Sequence, residues 1–153
     1  MKICATTNYT KIAQLNKTVH DMHVNMYPEC FKEFNQEEME EAFKNLIGNE
    51  RHTFIVLEDE GEAVGYAWYE IKTYDENVFK KGYVSLYVHQ ISIEKRHQSK
   101  GYGTFIMEYL FAEASKRAIE NVELDYWVQN HQAREFYKKH GFQLRREFVY
   151  KKL

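Results

Sequence analysis

Apolar positions along the chain change period several times, and each change marks an element. From Tyr9 to Met26 they fall at Ile12, Leu15, Val19, Met22 and Met26, three or four residues apart, which predicts a helix that Pro28 stops. An acidic second helix is predicted over Gln36–Ile47, with Met39, Phe43, Leu46 and Ile47 on one face and Gly48 at the C-cap. Thr53–Leu57 and Ala63–Ile71 read as two strands joined by the turn Glu58–Glu62. Tyr83–Ile93 is a third, longer strand after the polar loop Lys72–Gly82. The most regular helical pattern follows over Gly101–Ile119, with Gly103, Ile106, Met107, Leu110, Phe111, Ala114 and Ala118 on one stripe. Then come a strand at Val122–Val128, a helix at Asn130–His140 between Asn130 as N-cap and Gly141 as C-cap, and two β-rich runs at Phe142–Leu144 and Phe148–Tyr150. With a short β run at Lys2–Thr6, the order is β-α-α-β-β-β-α-β-α-β-β, a mixed α/β (α+β) domain around a central sheet. No repeat or linker divides residues 1–153, so one domain is expected.

Composition removes several functions. Net charge is -2 and no polybasic arm is present, so nucleic acid is not an expected partner. No apolar run approaches the roughly 20 residues that cross a bilayer, and the N-terminal apolar stretch is too short for a signal sequence. Cys4 and Cys30 form no metal-ligand or redox motif, which points to reduced thiols and a cytoplasmic location. His20-x-x-His23 puts two imidazoles on one helix face without further ligands, so no metal is expected. Asn16-Lys17-Thr18 matches a glycosylation acceptor, a match that carries no weight in a cytoplasmic protein. Twelve Tyr and ten Phe suit a pocket wall as well as a core.

The strand Tyr83–Ile93 runs into Gln98-Ser99-Lys100-Gly101-Tyr102-Gly103 and directly on into a helix. A helix N-terminus presents unpaired N–H groups and partial positive charge, and glycines let an anion reach the backbone. A Walker loop is excluded by the lack of Gly-Lys-Ser/Thr, and a dinucleotide fingerprint by Ile106 where its third glycine would stand. The strand itself shows a break in parity. Val84, Leu86 and Val88 share one face, whereas Ile91 and Ile93 have the opposite parity. Either a β-bulge between Val88 and Ile91 brings all five to one side, or the strand is buried on both faces.

Gln98–Gly103 resembles the Gln/Arg-x-x-Gly-x-Gly/Ala turn of the GNAT superfamily of N-acetyltransferases, with Gln98-Ser99 standing where the family usually has Arg-Gly. Asn130-x-x-Ala133-x-x-Phe136-Tyr137-x-x-x-Gly141-Phe142 is similar to that family's C-terminal motif, about thirty residues on and in the same order. The resemblance implies a mostly antiparallel central sheet of six to seven strands flanked by four helices, and acetyl-CoA as co-substrate. It further implies that backbone groups of Gln98, Ser99, Lys100, Gly101, Tyr102, Gly103 and Thr104 hold the CoA diphosphate, with Asn130 also on the cofactor side. Ile91 and Ile93 would pair with pantetheine as a pseudo-strand, and the bulge is the family's arrangement next to the acetyl group. A homodimer is compatible with it.

Acetylating an amine requires two proton movements. An amine of pKa about 10.4 must lose a proton before attack, and the departing thiolate must gain one. Tyr137 matches the family's thiolate-protonating tyrosine. Phe136 and Tyr137 point about 100° apart on a helix, so one can pack while the other lines a cleft. The glutamate that many relatives carry on the long strand is missing between Lys81 and Ile93, and Tyr87 and His89 stand there instead. His89 has the ordinary pKa range of a base near neutrality, and a structural, hydrogen-bonded histidine is the competing reading. Tyr27, Phe31, Tyr69, Glu70, Tyr74 and Tyr87 are the acceptor-lining candidates, since rings and a carboxylate suit a cationic amine, small-molecule or peptide. The other functional class is a catalytically degenerate acyl-CoA sensor.

Overall fold

A computed structural model describes residues 1–153. Its elements are β1 (Lys2–Ala5), α1 (Tyr9–Met26), α2 (Gln36–Ile47), β2 (His52–Asp59), β3 (Glu62–Tyr74), β4 (Tyr83–Ile93), α3 (Tyr102–Lys116), β5 (Asn121–Leu124) and α4 (His131–Lys139), with a single 3-10 turn at Lys95–His97. The strands form one sheet in the order β1-β2-β3-β4-β5, antiparallel except for the parallel β4–β5 pair.

Helix boundaries follow local chemistry. Asn8, Asn35 and Asn130 each accept a backbone N–H of the first turn of α1, α2 and α4, respectively. Helix α1 ends at Met26 because Tyr27 precedes Pro28, which disfavours helical geometry at that residue. Helix α4 is followed by Gly141 in the left-handed region at φ 84°. Gly48 caps α2 with right-handed geometry at φ -67°, so its position needs no glycine for its φ.

Alternation along the strands splits the core in two. Phe54, Val56 and Tyr66 pack with Ile12, Ala13, Leu15 and Phe43 under α1 and α2. Ile55, Leu57, Ala67, Tyr69, Leu86 and Val88 pack with Ile106, Met107, Leu110 and Ala114 under α3. Two irregularities reset this alternation. In β3 the register passes from Leu57↔Gly65 to Glu58↔Ala63, skipping Val64. In β4 it passes from Tyr69↔Val88 to Trp68↔Gln90, skipping His89. His89 is therefore the extra residue of a bulge, and Ile91 and Ile93 join Leu86 and Val88 on the α3 side.

The sheet has five strands, not six or seven. β5 ends at Leu124 instead of continuing to Val128, because its only neighbour, β4, departs from register at the bulge. Residues 142–153 form no strand, and β5 pairs with β4 alone. Helix α3 stops at Lys116, three residues short of Ile119, where Ala118 turns left-handed at φ 53°. No helix is long and apolar enough to cross a membrane.

Candidate functional site

The turn before α3 has the backbone of an anion cradle. Gly101 is the N-cap at φ 86°, and no side chain caps the helix, so the first N–H groups of α3 are not satisfied by a side chain. The two glycines differ in role. A Cβ on Gly101 would meet nothing within 4 Å, so its value lies in the left-handed φ. A Cβ on Gly103 would lie 3.2–3.3 Å from the Phe136 ring, so Gly103 is what lets α3 approach α4. Ser99 is also left-handed, at φ 63°, where glycine would be unstrained. Gln98 braces the turn by donating from Nε2 to the Ile93 carbonyl at 3.1 Å. Arg96 binds Glu94 and Glu62, so its charge is spent on the β2–β3 hairpin, whereas Lys100 has no carboxylate partner. Tyr102 donates from its hydroxyl to Asp59, 2.6 Å away, which fixes the helix start to β2.

The β4–β5 ladder runs from Ser85↔Asn121 to Val88↔Leu124 and stops there. Beyond the bulge β4 continues through Ile91 to Ile93 paired to β3 alone. Its outer edge is open for an extended group with amides of its own. The open edge of β4 thus leads along the chain into the Gln98–Thr104 turn and the α3 N-terminus, which no side chain caps.

His89 sits at the mouth of that opening. Its Nε2 lies 2.9 Å from Glu70 Oε2 and its ring stacks on Trp68 at 4.2 Å between centroids. Glu70 is only 8% exposed and also faces His52 Nδ1 and Lys72 Nζ, each at 3.9 Å. Trp68 Nε1–H donates to His52 Nδ1 at 3.1 Å. Burial lowers the His89 pKa below the ordinary histidine value, aided by Lys72 and His52, with the Glu70 hydrogen bond and charge opposing. His89 is thus neutral at pH 7, and with Nε2–H donated to Glu70 its Nδ1 lone pair is free.

On the far side of the opening, Tyr137 packs among Tyr126, Phe136 and Phe142, and burial raises its pKa to about 12, with Asp125 adding to the effect. Asp125, one residue past β5, accepts the Tyr87 hydroxyl at 2.6 Å. Tyr87 also carries Lys72 Nζ over its ring at 3.8 Å.

The other candidates divide. Tyr27 and Phe31 form an aromatic cluster with His23 and Trp127, with Tyr27–Trp127 centroids at 4.5 Å and Phe31–Trp127 at 5.0 Å. Tyr27 Oη accepts the Gln129 N–H, tying the end of α1 to the loop before α4. Asn130 spends its carbonyl oxygen on the Ala133 N–H and is buried, so it acts first as a cap. Tyr74 stacks on Tyr83 at the opposite end of β3 from the turn into β2. Tyr69 is a correction: it is 2% exposed in the α3-side core, on the face opposite Trp68 and Glu70, and lines no acceptor site.

Four contributors escape a linear reading: His52, Trp68, Trp127 and Asp125. Strand register, which no local pattern reveals, brings the first two to His89. Asn16 is a further surprise. It is 1% exposed and donates to Tyr66 Oη and Gln90 Oε1, both at 2.9 Å, while Tyr66 donates to Gln90. This trio anchors α1 to β3 and β4 beside the bulge, and a residue so buried accepts no glycan.

Residues 18–142 match the family model described as acetyltransferase (GNAT) family. An uncharacterized N-acetyltransferase of Methanocaldococcus jannaschii is 31% identical over 101 residues, which are 66% of this chain and 43% of that protein. The chain thus spans less than half the length of that relative. Among solved structures, a tetramutant of the BH1408 protein of Bacillus halodurans superposes with TM-score 0.89 at 21% identity, each chain covered in full. The aminoglycoside antibiotic 6'-N-acetyltransferase AAC(6')-IG of Acinetobacter haemolyticus superposes at 0.73, with 12% identity and 100% and 98% coverage. A predicted acetyltransferase of Clostridium acetobutylicum, solved with acetyl-CoA, superposes at 0.69 with 18% identity and 99% and 95% coverage. At these identities the superpositions establish the fold. With the family model spanning most of the chain, the turn at Gln98–Gly103 and the open edge of β4 fall into one scheme: the chain belongs to the acetyltransferase (GNAT) family.

Proposed function

We propose that this protein transfers an acetyl group from acetyl-CoA to a primary amine, small-molecule or peptide, by direct attack in a ternary complex. The observation that carries this reading is the His89 bulge, which opens β4 from β5 and sets a neutral imidazole, backed by Glu70, at the opening. Bound acetyl-CoA supplies the acetyl group as an activated thioester. Gln98 through Thr104 hold its diphosphate by backbone N–H groups, and Ile91 and Ile93 hold its pantetheine. His89 accepts the amine proton at Nδ1, through a water, while Glu70 fixes the tautomer and favours the imidazolium that forms. Tyr137, kept protonated by burial, returns a proton to the departing thiolate.

The acceptor side supports a cationic amine. Tyr27, Phe31 and Trp127 offer ring faces, and Glu70 and Asp125 offer negative charge around Tyr87. The likeness to an aminoglycoside acetyltransferase favours a small amine within that class. A cytoplasmic setting is consistent with the free Cys4 and Cys30. The sensor reading drew its support from the missing strand glutamate, and Glu70 on the adjacent strand supplies a carboxylate at the same imidazole.

Thiol release from acetyl-CoA over a panel of amines tests the proposal. The expected result is turnover with a small cationic amine, with kcat falling roughly 10²-fold or more in Tyr137→Phe. Binding of acetyl-CoA with no turnover on any amine would sink it and leave the sensor.

A further inference from the structure

One amine of the chain already stands beside the proposed base. Lys72 lies on the same face of β3 as Trp68 and Glu70. Its Nζ is 3.9 Å from Glu70 Oε2 and 3.8 Å from the centre of the Tyr87 ring. Glu70 Oε2 is also the atom that His89 Nε2 meets at 2.9 Å, so one carboxylate oxygen joins this ammonium to the imidazole. Tyr87 in turn donates its hydroxyl to Asp125 at 2.6 Å, one residue past the last β4–β5 pair, Val88↔Leu124. The Lys72 amine therefore hangs beside the point where the two strands part.

Other paired lysines are held differently. Lys44 and Lys116 reach a carboxylate three residues away on their own helices, with 57% and 69% of the side chain exposed. Lys72 is 31% exposed and is held across strands by a carboxylate and a ring. A lysine carries its nitrogen on a flexible four-carbon stem, so Nζ can swing toward the opening without any shift of β3.

We propose that Lys72 is a self-acetylation site, its Nζ taking the acetyl group of acetyl-CoA bound to the same chain. This use of Lys72 rests on the roles proposed for His89 and Tyr137. The ammonium first gives a proton through water to His89 Nδ1, which passes it to solvent. The freed lone pair attacks the thioester carbonyl carbon, so a C–N bond forms, and the C–S bond then breaks with its electron pair on sulfur. Tyr137 protonates that thiolate, and the second proton lost by Nζ restores Tyr137. The product is a neutral amide, which removes a cation from Glu70 and from the Tyr87 ring. An acceptor ammonium and Lys72 thus compete for one place.

Peptide mapping by mass spectrometry tests this on the full chain under saturating acetyl-CoA, at several protein concentrations and beside Tyr137→Phe. The mass of one acetyl group is expected on Lys72 well before Lys44 or Lys116, the more exposed amines that unassisted chemistry favours. The rate constant should not change with protein concentration, because both reacting groups share one chain. It should fall roughly 10²-fold in Tyr137→Phe. Acetylation of Lys72 no faster than of Lys44 and Lys116 overturns the inference, as does a rate constant that rises with protein concentration or one unchanged in folded Tyr137→Phe. The first two outcomes need only the unaltered chain, so they decide the matter even where the variant misfolds. Thiol release over the amine panel, on the same samples, separates this inference from the proposed function. Turnover of amines with Lys72 unmodified overturns self-acetylation alone. Lys72 acetylated without turnover of any amine supports it and overturns only the external acceptor. An amine that is turned over should also slow the acetylation of Lys72.

Discussion

His89 shows how one side chain's setting selects its chemistry. Its imidazole is pulled below its ordinary pKa by burial and by Lys72, and pushed the other way by Glu70. If it is the base, kcat/KM holds down to a pH below 6.5 and falls as the imidazole protonates. Replacing Lys72 by Met removes a cation that resists protonation, so the acidic limb should move up in pH. Replacing Glu70 by Gln removes the anion that favours protonation, so the limb should move down and the rate should drop with loss of tautomer control. A pH–rate series on the three proteins checks both signs, and limbs that stay put in both variants would exclude His89. The sequence singles out His89 as a candidate base and Glu70 as a candidate acceptor-lining carboxylate. That the two touch was not legible there, because their contact depends on a one-residue slip between β3 and β4.

Among the elements, the long helices were legible because a three-four period over many turns has few other uses, and the Asn caps agree with it. The parity break in β4 also proved to be a real bulge, and it controls more than its own strand. It ends the β4–β5 ladder, shortens β5 and opens the edge that pantetheine would use. The extent of β5 was not legible, since a strand's length depends on its neighbour. The turn before α3 holds a cost that the sequence did hint at. Ser99 stands at φ 63°, a conformation worth roughly 1–2 kcal/mol of strain for a residue with a Cβ. Glycine removes that strain but adds about 0.5–1 kcal/mol of unfolded-state entropy. Ser99→Gly should therefore gain between about 0 and 1.5 kcal/mol, read from urea denaturation. A lowered midpoint would mean that strain at Ser99 does not limit the stability of this turn.

Over the whole molecule, the sheet separates two tasks. The α1–α2 face carries Trp68, Glu70, His52 and His89, while the α3–α4 side carries the glycine turn and Tyr137. The Gly103–Phe136 contact joins the helix that begins at that turn to the helix that bears Tyr137. This division was partly legible, since the two family-like motifs both map to the second side. The first side was not, because it is assembled from strand partners and from the Tyr27–Trp127 contact across the α1 end. The arrangement also makes the protein its own optical probe. Its two tryptophans, Trp68 and Trp127, stand against the proposed base and in the aromatic cluster, and neither lies in the glycine turn. An imidazolium stacked on an indole withdraws its excited-state electron, so in Trp127→Phe the emission of Trp68 should dim as His89 protonates, tracing its titration without any turnover. In Trp68→Phe, the emission of Trp127 should shift when an amine enters and stay level when only CoA does.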